Sequence, residues 1–220
     1  MTPAPSRQSI LGRIHAATGN VAQSAPVLAD QAAYIRRGAL TGPARVKLMI
    51  ERLREYGADV AECAPEKLLT AIAAQLTASG RRQFVAPAGL TAAWLVPGFD
   101  WKIDHELPAD EIEQCEGVVT AAFAAVADSG TIVLHHSAAE GRRVITLLPG
   151  WHLCILRASQ VVETLPEYFS RCQQPPALAT YISGPSATAD IEMTRIKGVH
   201  GPRFLHVILV RDSGAPPILN

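Results

Sequence analysis

Three short stretches of this chain place glycine beside hydroxyl, imidazole or charged side chains, the residue types from which binding and proton-transfer sites are made. The first is Ser183-Gly184-Pro185-Ser186-Ala187-Thr188-Ala189-Asp190. Gly184 opens backbone angles closed to other residues, and Pro185 stiffens the turn. Ser186 or Thr188 could cap a helix running towards Lys197, and the free N–H groups of such a start, with the hydroxyls, would receive a phosphate or carboxylate. The same residues equally describe a capped helix with nothing bound, in which Asp190 complements the helix dipole and repels an incoming anion. The following stretch reads both ways: Ala189, Met193 and Ile196 suit a helix, while Ile191 and Met193 alternate as in a strand.

The second stretch is Gly198-Val199-His200-Gly201-Pro202-Arg203. An imidazole between glycines could serve as general acid or base near neutral pH, or bind an anion, or simply hydrogen-bond a neighbouring loop. Arg203 could hold a carboxylate or phosphate through two parallel hydrogen bonds. The third stretch, Asp128-Ser129-Gly130-Thr131, offers a carboxylate as base or as acceptor for a substrate hydroxyl, or the first residue of a type I turn. Glu140-Gly141-Arg142-Arg143 adds two guanidinium groups that could clamp an anion or decorate a solvated surface.

Other arrangements are missing. His135 and His136 point to opposite faces if the strand they belong to continues through both, and so cannot share one metal ion. His105 and His152 stand alone in sequence. There is no Gly-x-Ser-x-Gly elbow, no Gly-x-Gly-x-x-Gly and no Walker motif, which argues against an α/β-hydrolase, a tightly held dinucleotide and nucleotide hydrolysis. Cys63, Cys115, Cys154 and Cys172 are scattered without a Cys-x-x-Cys pair, so spacing supports reduced thiols and neither a structural zinc nor an iron–sulfur site.

The elements that must carry these loops alternate. Val46, Met49, Ile50 and Leu53 fall on one helical face after Pro43, with Gly57 as a stop. Asp59 to Cys63 reads as a strand. Pro65 opens a helix with Leu68, Leu69, Ile72 and Leu76 on one side, closed by Ser79-Gly80. Strands are expected at 83–86, 101–103, 131–135, 153–156, 181–182 and 204–210, and helices at 108–115, 121–127 and 165–172. Strands separated by helices imply crossover connections, and hence an α/β domain with a mostly parallel sheet and helices on both faces. In such sheets ligands gather beyond the carboxyl ends of the strands. Residues 1–40, with Ile10, Leu11 and Ile14 on one face, read as a short N-terminal helical extension, and 41–212 as the domain proper.

Composition bounds the class. Of 220 residues, 48% are hydrophobic, enough to close a core and to exclude a wholly disordered chain. Twenty basic residues balance twenty acidic ones, so nothing draws the chain generally to a polyanion and a dedicated nucleic-acid binder is not expected. The longest near-apolar run, Gly117 to Ala127, is too short to cross a bilayer, and the amino terminus lacks the apolar centre of a signal peptide. A cytoplasmic protein is the expectation.

The succession Asp128-Ser129-Gly130-Thr131-Ile132-Val133, then Gly141-Arg142-Arg143, Thr146-Leu147-Leu148-Pro149 and His152, followed by Ile182 through Glu192 and Gly198 through Arg203, resembles the LUD-domain family, and within it the small lactate-utilisation subunits. The likeness covers residues 100–210 well and the earlier part in general layout. Asp128-Ser129-Gly130 stands where the family usually has Glu-Thr-Gly, Thr120-Ala121 where it has Thr-Gly, and Pro149-Gly150 where it has Pro-Pro. The resemblance implies a fold similar to the sugar-isomerase and CoA-transferase-like group (the NagB/RpiA/CoA-transferase-like fold). It also implies a role in a multi-subunit system that oxidises L-lactate to pyruvate, beside an iron–sulfur LUD subunit and a cysteine-rich subunit. Iron–sulfur clusters would then sit on the partners, and this chain would carry no cofactor and no metal of its own.

The candidate catalytic groups are His200, Asp128, Asp190 and Glu192, the last two arriving with the family-like motif. The candidate binding groups are Ser183, Gly184, Ser186, Thr188, Gly201, Arg203 and Arg142. Loops 183–190 and 198–203 are expected to share one pocket, where a small anionic metabolite or a partner subunit binds. Two other classes of function stay open: a stand-alone enzyme or binding protein for a phosphorylated or CoA-linked small metabolite, and a purely structural assembly module.

Overall fold

The computed structural model of the chain describes residues 7–18, 35, 37–172, 174, 176–188, 196–197 and 201–212. The chain divides into two units, residues 1–34 and residues 35–220. The first holds α1 (Arg7–Thr18). The second holds all the other elements.

Its elements form where the apolar periods place them. Val46, Met49, Ile50 and Leu53 are the buried stripe of α2 (Gly42–Glu55), with Pro43 in the first turn, where a missing N–H costs no hydrogen bond. Gly57, at φ +84°, turns the chain out of that helix into β1 (Asp59–Cys63). A 3-10 turn at Pro65–Lys67 leads into α3 (Leu68–Ala78), which buries Leu68, Ile72 and Leu76. Then come β2 (Gln83–Pro87), β3 (Asp100–Asp104), α4 (Ala109–Glu113), β4 (Gly117–Ala121), β5 (Ala124–Val126), β6 (Thr131–Leu134), β7 (Trp151–Arg157) and β8 (Val161–Val162). After α5 (Leu165–Arg171) follow β9 (Thr180–Ile182), β10 (Ala187–Thr188), β11 (Ile196–Lys197) and β12 (Phe204–Val210).

The central sheet has six strands in the order β1-β12-β7-β4-β2-β3, every neighbouring pair parallel. A parallel sheet must be covered on both faces, and strand alternation shows what covers it. Trp151, Leu153 and Ile155 of β7, with Ile208 and Val210 of β12, pack on the face closed by α3. Cys154 and Leu156 of β7, with Leu205, Val207 and Leu209 of β12, pack on the opposite face. There α2 shares the cover with Ala125, Ile132, Leu134 and Val161 of a second sheet, a four-stranded one in the order β8-β5-β6-β9. The mostly parallel α/β sheet expected from sequence is therefore present, with helices on both faces and a second sheet sharing one of those faces with α2.

Two local expectations are corrected. Residues 121–127 are not a short helix: Ala124, Ala125 and Val126 pair antiparallel with Val133, Ile132 and Thr131, and Ala125 and Val126 pair parallel with Val161 and Val162. Alanine favours a helix intrinsically, yet the buried position between β6 and β8 overrides that preference, and small side chains let the two sheets approach. Nor are the described ends of the 186–197 stretch helical. Ala187 and Thr188 pair antiparallel with Lys197 and Ile196 in a two-stranded ribbon, so the stretch expected to open a helix is strand at Ala187-Thr188, and residues 189–195 lie outside the described residues.

Candidate functional site

Between the two sheets lies a cavity of about 170 Å³. The central sheet contributes His152 of β7 and Leu205 of β12; the second sheet contributes Thr180, Tyr181 and Ile182 of β9; the turns contribute Ser183 to Ser186 and Gly201-Pro202. Arg143 and Thr146, from a 3-10 turn ahead of β7, close it. Its place differs from the expected one. His152 and Leu205 each stand second in their strands, so the cavity opens at the amino ends of β7 and β12, not beyond their carboxyl ends. The carboxyl-end rule describes loops that lead from strand to helix; here Gly201-Pro202 leads into a strand, and the opposite wall comes from a different sheet.

Glycines and hydroxyls hold the turns together. Gly184 adopts φ +91°, and a Cβ on it would lie 2.6 Å from Cβ of Tyr56, at the end of α2, so any other residue is excluded twice over. The Ser186 N–H donates to the Pro202 carbonyl at 2.8 Å, and the Arg203 N–H donates to the Gly150 carbonyl at 2.9 Å. The Ser183 hydroxyl bonds that of Thr131 at 2.8 Å, and Thr131 bonds Ser129 at 2.8 Å. That chain of three hydroxyls ties the Asp128 turn to the Ser183 turn.

The residues singled out from sequence therefore separate. Ser183, Gly184, Ser186 and Gly201 line one cavity. Asp128 is exposed in its turn and does not line it, and Arg203 is exposed. Thr188 lies in β10. His200, Asp190 and Glu192 lie outside the described residues. Arg142 is elsewhere: its Nε and Nη2 grip both oxygens of Asp104 at 2.9 and 2.5 Å, and Nη2 also donates to the Leu107 carbonyl. This pairing holds the Asp104 carboxyl below its usual range, the Arg142 hydrogen bonds being the main cause. The pair edges a second, more open cavity of about 250 Å³, with His105, Glu106 and His136, beyond the carboxyl ends of β2 and β3. Among the described residues no cluster of three His, Cys, Asp or Glu side chains could hold a metal ion, and no helix is long and apolar enough to cross a membrane.

Two side chains dominate the first cavity: Arg143, read from sequence as one of two guanidinium groups that could clamp an anion but not chosen as a candidate, and His152, which stood alone in sequence. Arg143 donates from Nη1 to the carbonyl and hydroxyl of Thr146, both at 3.2 Å, and no carboxylate among the described residues lies within ion-pairing distance. Burial pulls its pKa down, yet a guanidinium stays charged. His152 is 1% exposed, its Nε2 2.8 Å from the Thr120 hydroxyl. Burial first, and the charge of Arg143 second, push its pKa down to about 3. Thr120 stands 3.9 Å from the Cys154 sulfur, and burial pushes that thiol up to about 12. The cavity thus presents a positive charge with no acidic partner among the described residues, a neutral imidazole and several hydroxyls, with apolar contacts from Leu205 and Ile182. Alternation could have flagged His152, because a strand over 153–156 extended by one residue puts it on the same buried face as Cys154 and Leu156.

The fold is an α/β domain with a parallel central sheet and a partly open cavity, lined by Arg143, where a second sheet packs against it. The chain belongs to the LUD domain family, whose sequence pattern matches residues 46–210. It is 38% identical over 164 residues to lactate utilization protein C of Deinococcus radiodurans, covering 73% of this chain and 76% of that protein. It is 36% identical over 124 residues to lactate utilization protein C of Bacillus subtilis and 39% identical over 115 residues to the uncharacterized protein YkgG of Escherichia coli. Those matches cover 53% and 47% of this chain, and the chain spans about half the length of each of these two relatives, 51% and 49%. The crystal structure of a DUF162 family protein from Deinococcus radiodurans superposes with a TM-score of 0.64 at 31% identity, over 78% of this chain and 99% of that one.

Proposed function

We propose that this chain works in lactate utilisation as a component without a redox centre of its own, binding a short carboxylate in the cavity between its two sheets. The observation that carries the reading is Arg143, a cation lining a partly open cavity with no carboxylate beside it among the described residues. A partly desolvated charge without an acidic partner is costly, and an anionic guest that bonds the guanidinium relieves it. The volume suits a guest of lactate's size, since cavities of about 150 Å³ take up benzene, which has as many heavy atoms. The names of the relatives supply the pathway. Oxidising L-lactate to pyruvate releases two electrons and two protons, which an iron–sulfur partner and a cysteine-rich partner would receive.

Calorimetric titration with L-lactate tests the reading. Arg143→Met should weaken binding at least tenfold, while Arg142→Met, whose charge Asp104 already neutralises, should leave it within twofold. Equal losses in the two variants, or no carboxylate binding to the unaltered chain, overturn the assignment. Thermal stabilisation by sugar phosphates or CoA esters without any by lactate would favour a phosphorylated or CoA-linked ligand instead.

A further inference from the structure

We infer that the surface around Arg81, Arg203 and Phe204, beside the mouth of the first cavity, is the docking site of an acidic partner protein. The inference rests on the function proposed above and adds to it where the partner sits and what surface it presents.

Phe204 opens β12, an interior strand of the central sheet, and a parallel sheet needs cover on both faces. Trp151, its neighbour across the ladder, is 1% exposed, yet Phe204 is 47% exposed. Arg81 lies over both rings, its guanidinium carbon 5.3 Å from the Phe204 centroid and 5.8 Å from that of Trp151. Its Nη1 donates to the Ser79 carbonyl at 3.0 Å. Arg203, the residue before Phe204, is exposed, and so is Leu148 in the segment leading to Trp151. Arg52, Arg142, Arg157, Arg171 and Arg211 each face an acid, whereas neither Arg81 nor Arg203 has an ion pair among the described residues. Two acids stand near Arg81 and are otherwise engaged: Glu116 accepts from the N–H groups of Arg82 and Gln83, and Asp59 faces His206.

An arginine already held by two rings and a carbonyl loses little side-chain freedom on binding, and the exposed phenylalanine beneath it supplies apolar area. Arginine and aromatic side chains are enriched where proteins meet. The two unpaired guanidinium groups select carboxylates opposite them, hence an acidic surface. A second copy of this chain does not fit, because a two-fold contact would set the positive patch against itself. Position points the same way. Gly201-Pro202, just before Arg203, line the cavity, and the Gly150 carbonyl accepts the N–H groups of both Arg203 and Phe204. A component without a redox centre of its own needs its partner's centre close to the bound acid. A partner seated here covers the amino ends of β7 and β12, where the cavity opens.

The test is biolayer interferometry of the full chain against the iron–sulfur LUD subunit of the same organism. Raising NaCl from about 50 to about 250 mM should weaken binding at least tenfold, as expected when exposed charges meet. The double substitution Arg81→Glu with Arg203→Glu should weaken it at least thirtyfold and Phe204→Ala at least fivefold, while Lys47→Glu on α2 should leave it within twofold. Calorimetric titration of the same variants with L-lactate, within threefold of the unaltered chain, shows that fold and cavity are intact. If the doubly substituted chain still binds the subunit within threefold, docking lies elsewhere and the inference is wrong, with the carboxylate reading untouched. No association of the unaltered chain overturns it too, as does self-association, or binding to a DNA duplex or a phosphatidylserine vesicle, that the double substitution abolishes while subunit binding persists. If subunit binding responds as expected and L-lactate does not bind, the proposed ligand falls and the docking surface stands.

Discussion

Arg142 and Arg143 are neighbours in sequence with opposite fates. Arg142 spends its charge on Asp104, whose side chain is only 2% exposed, and that pairing satisfies a buried carboxylate. Arg143, one residue on, begins a 3-10 turn that carries it to the other cavity, with no acid beside it among the described residues. A run of two arginines says nothing about which one a carboxylate will claim, since Asp104 lies 38 residues away in sequence. His152 shows the same dependence on depth. In the unfolded chain its pKa is near 6.5, and in the fold it drops to about 3. Unfolding therefore takes up a proton below pH 6.5, and stability falls as the pH drops from 6.5 towards 3. Between pH 7 and pH 5 this one group should cost about 2 kcal/mol. Urea unfolding at both values checks it: the unaltered chain should lose that much more stability than His152→Gln. Equal losses would mean that the ring is not held neutral.

At the scale of elements, the sequence was most legible where one surface alone decides the pattern. The stripes of α2 and α3 and the apolar runs of β2, β7 and β12 each bury against the central sheet, and their periods announce it. Ala121 to Val126 was illegible because its conformation is set by two partner strands, β6 and β8, far off in sequence. Ser186 and Thr188 misled for a related reason: a residue suited to capping a helix suits the start of a narrow ribbon equally well. The Ser183 turn was readable as a turn from Gly184, but its contact with Tyr56 and its hydroxyl chain to Ser129 were not, being tertiary facts. That contact gives Gly184 a measurable role. Gly184→Ala forces a side chain into φ +91° and against Tyr56, and should destabilise by about 2–3 kcal/mol. Gly150→Ala, with nothing within 4 Å of the added methyl, should stay within about 0.5 kcal/mol. Similar costs for both would show that Gly184 is an ordinary loop residue whose backbone relaxes.

For the whole molecule, the position of the cavity matters more than its volume. Two sheets meet around it, with β7 and β12 on one side and β9 on the other, and the apolar cluster that joins them contains Ile132, Leu134, Cys154, Leu156 and Leu205. A guest bridging Arg143 and His152 to the β9 turn therefore ties the second sheet to the first. A ligand that binds only the folded state stabilises it by about 2.7 kcal/mol at a hundredfold excess over Kd. In a domain of this size that corresponds to a rise in Tm of about 5–10 °C. Because both sheets share one core, unfolding should stay a single transition with and without L-lactate, shifting as a whole. A thermal melt in which lactate moves only part of the signal, or splits it in two, would show that the sheets unfold separately and that the cavity belongs to one of them alone.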